Sequence, residues 1–358
     1  MSLSIGIVGL PNVGKSTLFN ALTDNDILAA NYPFATIEPN TGIIAVPDSR
    51  LAVLQTMYSA TKVIPAVVTF VDIAGLVAGA SKGEGLGNKF LANIRECDAV
   101  IHVVRAFENS DVIHVDDTVD PKKDIETINT ELFLADLQSL ERHLPKVERE
   151  LKSSPTAKAK VEAIKSLQLS LEQGKLVSEL ENVNTELVHE LQLLTAKPVI
   201  YVFNVDENTL SNDARKAELS ALVSPAQSIF ICAKLEEELR GLEPEDVQEL
   251  LDSYSVTESG LAQLARAAYS TLGLQSYLTA GPKEVRAWTI HQGNTAPQAA
   301  GVIHTDFEKG FIAASIVDFD DLVEAGSEQA AKAAGKVRTE GRDYVMRPGD
   351  VVEFRFNV

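Results

Sequence analysis

Short apolar runs recur along the chain, and most are separated by stretches compatible with helices. The runs lack strict alternation, which is typical of strands buried on both faces of a sheet. The pattern predicts an α/β fold with a mostly parallel sheet. The predicted strands are Ile5–Val8, Ile43–Val46, Val67–Val71, Ala99–Val104, Val199–Phe203 and Ile229–Cys232.

The stretch from about residue 120 to residue 194 differs, because it is rich in Leu, Glu, Lys and Gln and nearly free of Gly. Apolar residues recur in it at helical spacing as two stripes, separated by the sequence SSPT at 153–156. The pattern predicts an α-helical hairpin inserted into the α/β domain, either as a plain structural insertion or as an arm that docks a partner. The stripes are Leu132, Leu134, Leu137, Leu140 and Leu144, then Val161, Ile164, Leu167, Leu171 and Leu176.

After about Ser276 the chain turns to Val, Ile and Phe in alternation with polar residues. Val352, Phe354 and Phe356 predict a half-buried strand after a turn at 348–350. We therefore expect a small separate α+β domain at the carboxyl end. The predicted boundaries are 1–120 and 196–275 for the α/β domain, 121–195 for the hairpin and 276–358 for the terminal domain.

The 358 residues carry 32 Lys plus Arg against 51 Asp plus Glu, a net charge of -19. Such a surface repels nucleic acid and anionic membranes, so any contact with RNA must be local. A cluster of cations in the terminal domain is either such a local RNA-binding face or a solvated surface. It consists of Lys332, Lys336, Arg338, Arg342 and Arg347.

The apolar runs are shorter than the roughly 18 residues of a spanning helix, so no membrane partner is expected. The only two cysteines, Cys97 and Cys232, exclude a disulfide framework and fit a reducing compartment. These features predict a cytoplasmic protein.

The stretch GLPNVGKST at residues 9–17 follows the first predicted strand and precedes a helix-like segment. This is the context that a phosphate-binding P-loop requires. Loop amides and the helix N-terminus bind phosphate, Lys15 reaches the β- and γ-phosphates, and the Ser16 hydroxyl binds Mg²⁺. The predicted nucleotide-binding residues are Asn12, Val13, Gly14, Lys15, Ser16 and Thr17.

A second motif, Asp72-Ile73-Ala74-Gly75, follows the strand at 67–71. Nucleotides bind at the carboxyl edge of such sheets, where both motifs belong. We expect Asp72 to hold Mg²⁺ through water and the Gly75 amide to sense the γ-phosphate. Thr36, in the upstream loop before the strand at Gly42, is the candidate third magnesium residue. Thr41, or a purely structural role for Thr36, is the alternative.

The stretch Asn204-Val205-Asp206-Glu207 stands where guanine-specific hydrolases carry Asn-Lys-x-Asp. Guanine presents two N–H donors to a short carboxylate, whereas Glu207 is one methylene longer and should crowd the base. Val205 also replaces a lysine that normally lies over the base. We therefore expect ATP to bind better than GTP. Cys232 and Ala233, after the next strand, either present a backbone amide to the base or make no base contact.

Together with NYPF at 31–34 and HTDFEKGF at 304–311, these motifs resemble the YchF-type ATPases of the Obg family over the whole chain. The resemblance implies a Ras-like P-loop domain interrupted by the helical hairpin, followed by a TGS domain of β-grasp fold. It also implies hydrolysis of ATP, with GTP bound less well, and association with ribosomes in the cytosol.

Leu76 stands where many GTPases have the glutamine that positions the attacking water, and a leucine side chain cannot form a hydrogen bond to water. Intrinsic hydrolysis should therefore be slow. The resemblance points to His114 as the residue that orients or deprotonates the water, unless it is a packed loop histidine. K⁺ held near Asn12 is a second hypothesis. The protein is interpreted as an ATP-driven switch; the alternatives are a GTP-hydrolysing translation factor and a nucleotide-stabilised binding module.

Overall fold

The computed structural model describes residues 3–23, 40–73, 86–108, 119–151, 156–180 and 185–357. These residues divide into two compact units, the first with residues 3–23, 40–42 and those from 69 to 264, and the second with residues 43–68 and 265–357. The strands are β1 (Ser4–Val8), β2 (Thr41–Ala45), β3 (Val63–Ile64), β4 (Val67–Asp72), β5 (Ala99–Arg105), β6 (Val199–Asn204), β7 (Gln227–Ile231), β8 (Leu274–Ala280), β9 (Val285–His291), β10 (Phe311–Asp318), β11 (Arg338–Glu340) and β12 (Asp350–Phe356).

Helices alternate with these strands through most of the chain. They are α1 (Lys15–Thr23), α2 (Arg50–Tyr58), α3 (Leu86–Glu96), α4 (Pro121–Glu150), α5 (Ala157–Glu172), α6 (Glu207–Leu210), α7 (Asp213–Ala221), α8 (Ala233–Glu238), α9 (Pro244–Ser253), α10 (Gly260–Thr271), α11 (Ala296–Ile303), α12 (Thr305–Lys309), α13 (Phe319–Ala325) and α14 (Glu328–Ala333). Short 3-10 turns follow α5 at Val177–Glu179, Thr185–Leu191 and Leu194–Ala196.

The first sheet has the strand order β2-β4-β1-β5-β6-β7. β1 pairs in parallel with β4 and β5, and β5, β6 and β7 continue the parallel ladder. Every residue of β5 is buried, as expected of a strand with helices on both faces. The predicted α/β fold with a mostly parallel sheet is confirmed, and the carboxyl ends of β1, β4, β5 and β6 meet at one edge.

The helical hairpin predicted in the middle of the chain is confirmed as α4 and α5. The Asp120 carboxylate caps the start of α4 by accepting a hydrogen bond from the Lys123 amide at 3.2 Å. Most of the two stripes packs together in one core, where Leu140, Ile164 and Leu167 are fully buried; Leu132, Leu134 and Leu176 are not part of that core. Sequence periodicity predicted this element because a stripe repeats every three or four residues along a helix.

The second unit is built on a sheet with the order β11-β10-β12-β8-β9-β3. Helix α11 packs on it, and the buried Tyr277 hydroxyl donates to the Ala299 carbonyl at 2.9 Å. In the HTDFEKGF stretch, a side chain at Gly310 would collide with the Asn357 carbonyl, so Gly310 permits the close approach of the chain that follows β12. The predicted small β-rich domain at the carboxyl end is confirmed.

The segment Ile43–Val68 lies in the second unit, whereas the boundaries predicted from the sequence assign it to the first domain. The reason is that β3 pairs with β9, Val63 opposite Val285 and Ile64 opposite Arg286. A strand of two residues is too short to leave a period-two pattern in the sequence. The domain limits of the sequence analysis therefore remain a prediction.

Three of the five cations in the terminal-domain cluster, which is either an RNA-binding face or a solvated surface, make contacts within the protein. Lys336 lies 2.8 Å from an Asp321 carboxylate oxygen, Arg338 lies 3.6 Å from the buried Asp350, and Arg342 donates to the Phe311 carbonyl at 2.9 Å. These contacts reduce the positive charge that the face offers to RNA. Among the described residues, no helix is long and apolar enough to cross a membrane.

Candidate nucleotide-binding site

The glycine-rich loop joins β1 to α1, as the motif predicts. Asn12 and Gly14 both have positive φ, 63° and 89°, a conformation that Gly adopts freely and Asn tolerates. A side chain at Gly14 would also collide with the Asn204 amide nitrogen. Glycine is thus required at position 14 both by the turn and by its neighbour.

Lys15 opens α1 and forms an ion pair with Asp72 at the end of β4. The two meet because β1 and β4 are parallel neighbours, with Ile7 opposite Asp72. The Lys15 side chain is only 11% exposed. Ser16 follows it on the exposed side of the first turn. The structure therefore brings together an ammonium, a hydroxyl and a carboxylate, all predicted from the sequence.

Asn204 ends β6 and joins three segments of the site. Its side-chain amide donates to the Val13 carbonyl at 2.9 Å, and its side-chain oxygen accepts from the Ala233 amide at 3.1 Å. The residue is 6% exposed. Asn204 therefore ties the phosphate loop to the start of α8. The Ala233 amide, one of the backbone amides after β7 that could face the base, is bonded to the Asn204 side chain.

The other residues of this motif have separate environments. Val205 is buried in the core next to the site. The Asp206 carboxylate caps α6 by accepting from the Thr209 amide at 2.8 Å. Glu207 accepts from the Lys234 ammonium at 2.8 Å, and this hydrogen bond lowers the Glu207 pKa. The Glu207 carboxylate is thus held by a lysine two residues beyond Cys232.

These residues, apart from Val13 and Asp72, line one cleft of about 880 Å³ at the carboxyl edge of the first sheet. Two further lining residues, Phe107 and Glu108, were missed by sequence reasoning. Phe107 stacks under the Arg105 guanidinium at 4.5 Å from the ring centre. Both follow β5 directly, so the rule that sites collect at the carboxyl ends of parallel strands identifies them once β5 is assigned.

Three predicted residues, Thr36, Gly75 and His114, lie outside the described residues, as do Leu76 and the NYPF stretch. Their roles, and the K⁺ hypothesis at Asn12, stay predictions. Among the residues that the structure does describe, His, Cys, Asp and Glu form no cluster of three suited to a metal ion. P-loop hydrolases generally use Mg²⁺, which they hold with a hydroxyl, a carboxylate and the nucleotide phosphates, so such a cluster is not required.

Comparisons with known proteins agree with this geometry. A family model described as "50S ribosome-binding GTPase" matches residues 4–135, and a YchF carboxyl-terminal model described as "Protein of unknown function" matches residues 274–357. The ribosome-binding ATPase YchF of Haemophilus ducreyi is 50% identical over 363 residues, with 100% of both chains covered. The chain belongs to the YchF family.

Two other relatives support the same placement. Obg-like ATPase 1 of Rattus norvegicus is 43% identical over 373 residues, covering 99% of this chain and 93% of that protein. The solved structure of the Schizosaccharomyces pombe YchF GTPase is 39% identical, with a TM-score of 0.88 and coverage of 99% and 98%. The resemblance inferred from the motifs is confirmed. The names of these relatives disagree about which nucleotide is hydrolysed, since two are called ATPases and one a GTPase.

Proposed function

We propose that this chain is a ribosome-binding ATPase that hydrolyses ATP, binds GTP more weakly and acts as a nucleotide-dependent switch. Membership of the YchF family supports hydrolysis and ribosome binding, because the curated relatives carry these activities in their names. The observation that carries the choice of base is the hydrogen bond between Lys234 and Glu207 at 2.8 Å.

Guanine is recognised by a carboxylate that accepts from its N1 and N2 groups. Glu207 stands at the motif position of that carboxylate, but its oxygen is engaged by Lys234. The Ala233 amide, which would donate to the opposite part of the base edge, donates to the Asn204 side-chain oxygen instead. One oxygen of the Glu207 carboxylate and the Ala233 amide are thus engaged within the protein, and this supports ATP over GTP.

At the other end of the cleft we assign Ser16 and Asp72, with Thr36, to Mg²⁺. Hydroxyl and carboxylate oxygens are the hard ligands that Mg²⁺ prefers, and the Lys15 contact brings the Asp72 carboxylate to the loop that carries Ser16. When bound, the ion neutralises charge on the phosphates. Asn12–Thr17 and Gly75 complete the proposed phosphate contacts, and Asn204, Val205, Glu207, Cys232 and Ala233 the base end.

The partner proposed for this switch is the ribosome, which implies a cytoplasmic location. An additional RNA contact through the terminal domain is a weaker proposal, because Lys336, Arg338 and Arg342 are engaged internally. Lys332 and Arg347 are the cations of that cluster to test first.

A competition measurement tests the choice of base. Unlabelled ATP and GTP are titrated against a fluorescent nucleotide bound to the full chain in Mg²⁺. We expect ATP to displace the probe at a lower concentration than GTP. A preference for GTP of about tenfold or more, equivalent to 1.4 kcal/mol, would reverse the proposal in favour of a GTPase.

For hydrolysis we propose that His114 positions the attacking water, because Leu76 cannot bond it. His114→Ala should lower the single-turnover rate at least about tenfold, since such help is worth roughly 10²- to 10⁴-fold, and leave ATP affinity nearly unchanged. Leu76→Ala should change the chemical step little. His143→Ala, in the hairpin, is the matched control. A wild-type rate for His114→Ala would remove this residue from the mechanism.

A further inference from the structure

Glu236 is a buried carboxylate on α8, three residues beyond Ala233. Its side chain is 4% exposed, and none of the motifs includes it. Helix α8 begins directly after Cys232, so its position sets the position of the loop that lines the base end of the cleft. A group that fixes α8 therefore acts on the site without touching the nucleotide.

The Glu236 carboxylate reaches across to the start of α10. Its Oε1 accepts from the Gly260 amide at 2.6 Å, and the Leu261 amide also bonds this carboxylate. The first amides of a helix have no partner within the helix, so an external acceptor satisfies them. The contact joins two helices that are separated by α9 in the chain.

The close approach is possible only because residue 260 is glycine. A Cβ there would lie 2.7 Å from Ile231 Cγ1 and 3.1 Å from the Glu236 oxygen. Ile231 ends β7, immediately before Cys232. The end of β7, the Glu236 carboxylate on α8 and the first residue of α10 thus pack against one another at Gly260.

Burial raises the pKa of Glu236 to about 7, while the amide hydrogen bonds act in the opposite direction. Near neutral pH the side chain is thus part carboxylic acid, and its role here is that of a hydrogen-bond acceptor. A glutamine has the same shape and keeps one acceptor oxygen. Glu236→Gln therefore removes only the ionisable group, whereas Glu236→Ala removes the hydrogen-bond acceptor as well.

We propose that Glu236 is a positioning residue for the nucleobase end of the cleft. By holding α8 against the start of α10, it keeps the Cys232–Lys234 loop where the Ala233 amide bonds Asn204. The inference rests on the proposed binding of ATP. Phosphate binding depends on the loop at 9–17, whereas the Glu236 carboxylate bonds the start of α10. Helix α8 as a whole also packs against α1, so the affinity for a ligand without a base reports whether that packing is disturbed.

The test compares a ligand that has a base with one that has none. Affinities for ATP and for inorganic tripolyphosphate are measured in Mg²⁺ by calorimetry on the full chain. Glu236→Ala should weaken ATP by about tenfold, because it leaves two buried amides without their acceptor, and change tripolyphosphate less than about twofold. In steady state, KM for ATP should rise while kcat changes little.

Three variants sharpen this test. Glu236→Gln should restore ATP affinity to within about twofold of wild type, since the acceptor remains. Gly260→Ala should behave like Glu236→Ala, because its methyl group collides with Ile231 and crowds the Glu236 oxygen, so the start of α10 has to move. Asp136→Ala is the matched control: Asp136 is also a buried carboxylate that accepts two backbone amides, those of Leu194 and Thr195, at 2.9 and 2.8 Å, but in the hairpin core. It should not change the ratio of the two affinities.

Equal losses for ATP and tripolyphosphate, or no loss of either, would overturn the positioning role. A defect in Glu236→Gln as large as in Glu236→Ala would also overturn it, because the acceptor would then be irrelevant. Failure of wild-type protein to bind ATP would instead refute the proposed function.

Discussion

The two ends of the nucleotide cleft are built in different ways. The phosphate end consists of one contiguous loop, the first turn of α1 and the Lys15–Asp72 pair. The base end is held by hydrogen bonds between separate segments, from the Ala233 backbone amide to the Asn204 side chain and from the Lys234 ammonium to Glu207. Phosphate recognition thus rests mainly on a short stretch of sequence, with Asp72 as the one partner from another strand, whereas each base-end residue depends on a partner distant in the sequence.

Removal of Lys15 breaks the phosphate end and should have the largest effect. Lys15→Ala should weaken ATP at least about 100-fold, since contacts from a charged donor are worth roughly 1.5–3 kcal/mol each. The loss should be the same for GTP and tripolyphosphate, because the ammonium acts only on phosphates. Calorimetry with the three ligands measures it.

Lys122→Ala serves as the control for Lys15, since Lys122 is an exposed lysine of α4 whose neighbour Glu126 lies 3.8 Å away. A loss confined to ATP would contradict the division of the cleft into two ends. Unchanged affinity for all three ligands would refute the assignment of the phosphate site.

The sequence predicted the phosphate end well, because a strand, a glycine-rich loop and a helix follow one another and leave a contiguous signal. Every strand of the first sheet was predicted for a similar reason, since each contains a short apolar run, although only β1, β5 and β6 are buried nearly throughout. The partner of Glu207 was not predictable, because Lys234 comes from the start of α8, which follows another strand. Glu236 and Phe107 belong to no motif, and only the fold shows that they lie beside the site or line it.

Asn204 connects the two ends by hydrogen bonds to both, and its replacement should have the second-largest effect on ATP affinity. Asn204→Ala leaves the buried Val13 carbonyl and Ala233 amide without their partner, so ATP affinity should fall about tenfold. Unlike Lys15→Ala, this change should weaken ATP more than tripolyphosphate. Equilibrium titration with both ligands gives the ratio.

Asn212→Ala is the matched control for Asn204. Asn212 also accepts a backbone amide, that of Arg215 at 3.1 Å, but only caps the exposed helix α7. It should leave both affinities unchanged. If Asn204→Ala weakened the two ligands equally, Asn204 would belong to the phosphate end alone.

Lys234→Ala tests the base end and should have the smallest effect on nucleotide affinity. Lys234 is 71% exposed and Glu207 29%, and exposed pairs contribute roughly 0.2–1 kcal/mol, so the affinity ratio of GTP to ATP should rise by about threefold. The rise is expected because the released Glu207 carboxylate can accept from the N–H donors of guanine. Lys234 lies 3.8 Å from Glu238 as well, so Glu238→Ala is a control that leaves the hydrogen bond between Lys234 and Glu207 in place.

Adding Glu207→Ala to Lys234→Ala should return the GTP-to-ATP affinity ratio to its wild-type value, since the released acceptor is then absent. A ratio that did not change in Lys234→Ala would mean that this lysine does not keep Glu207 from the base.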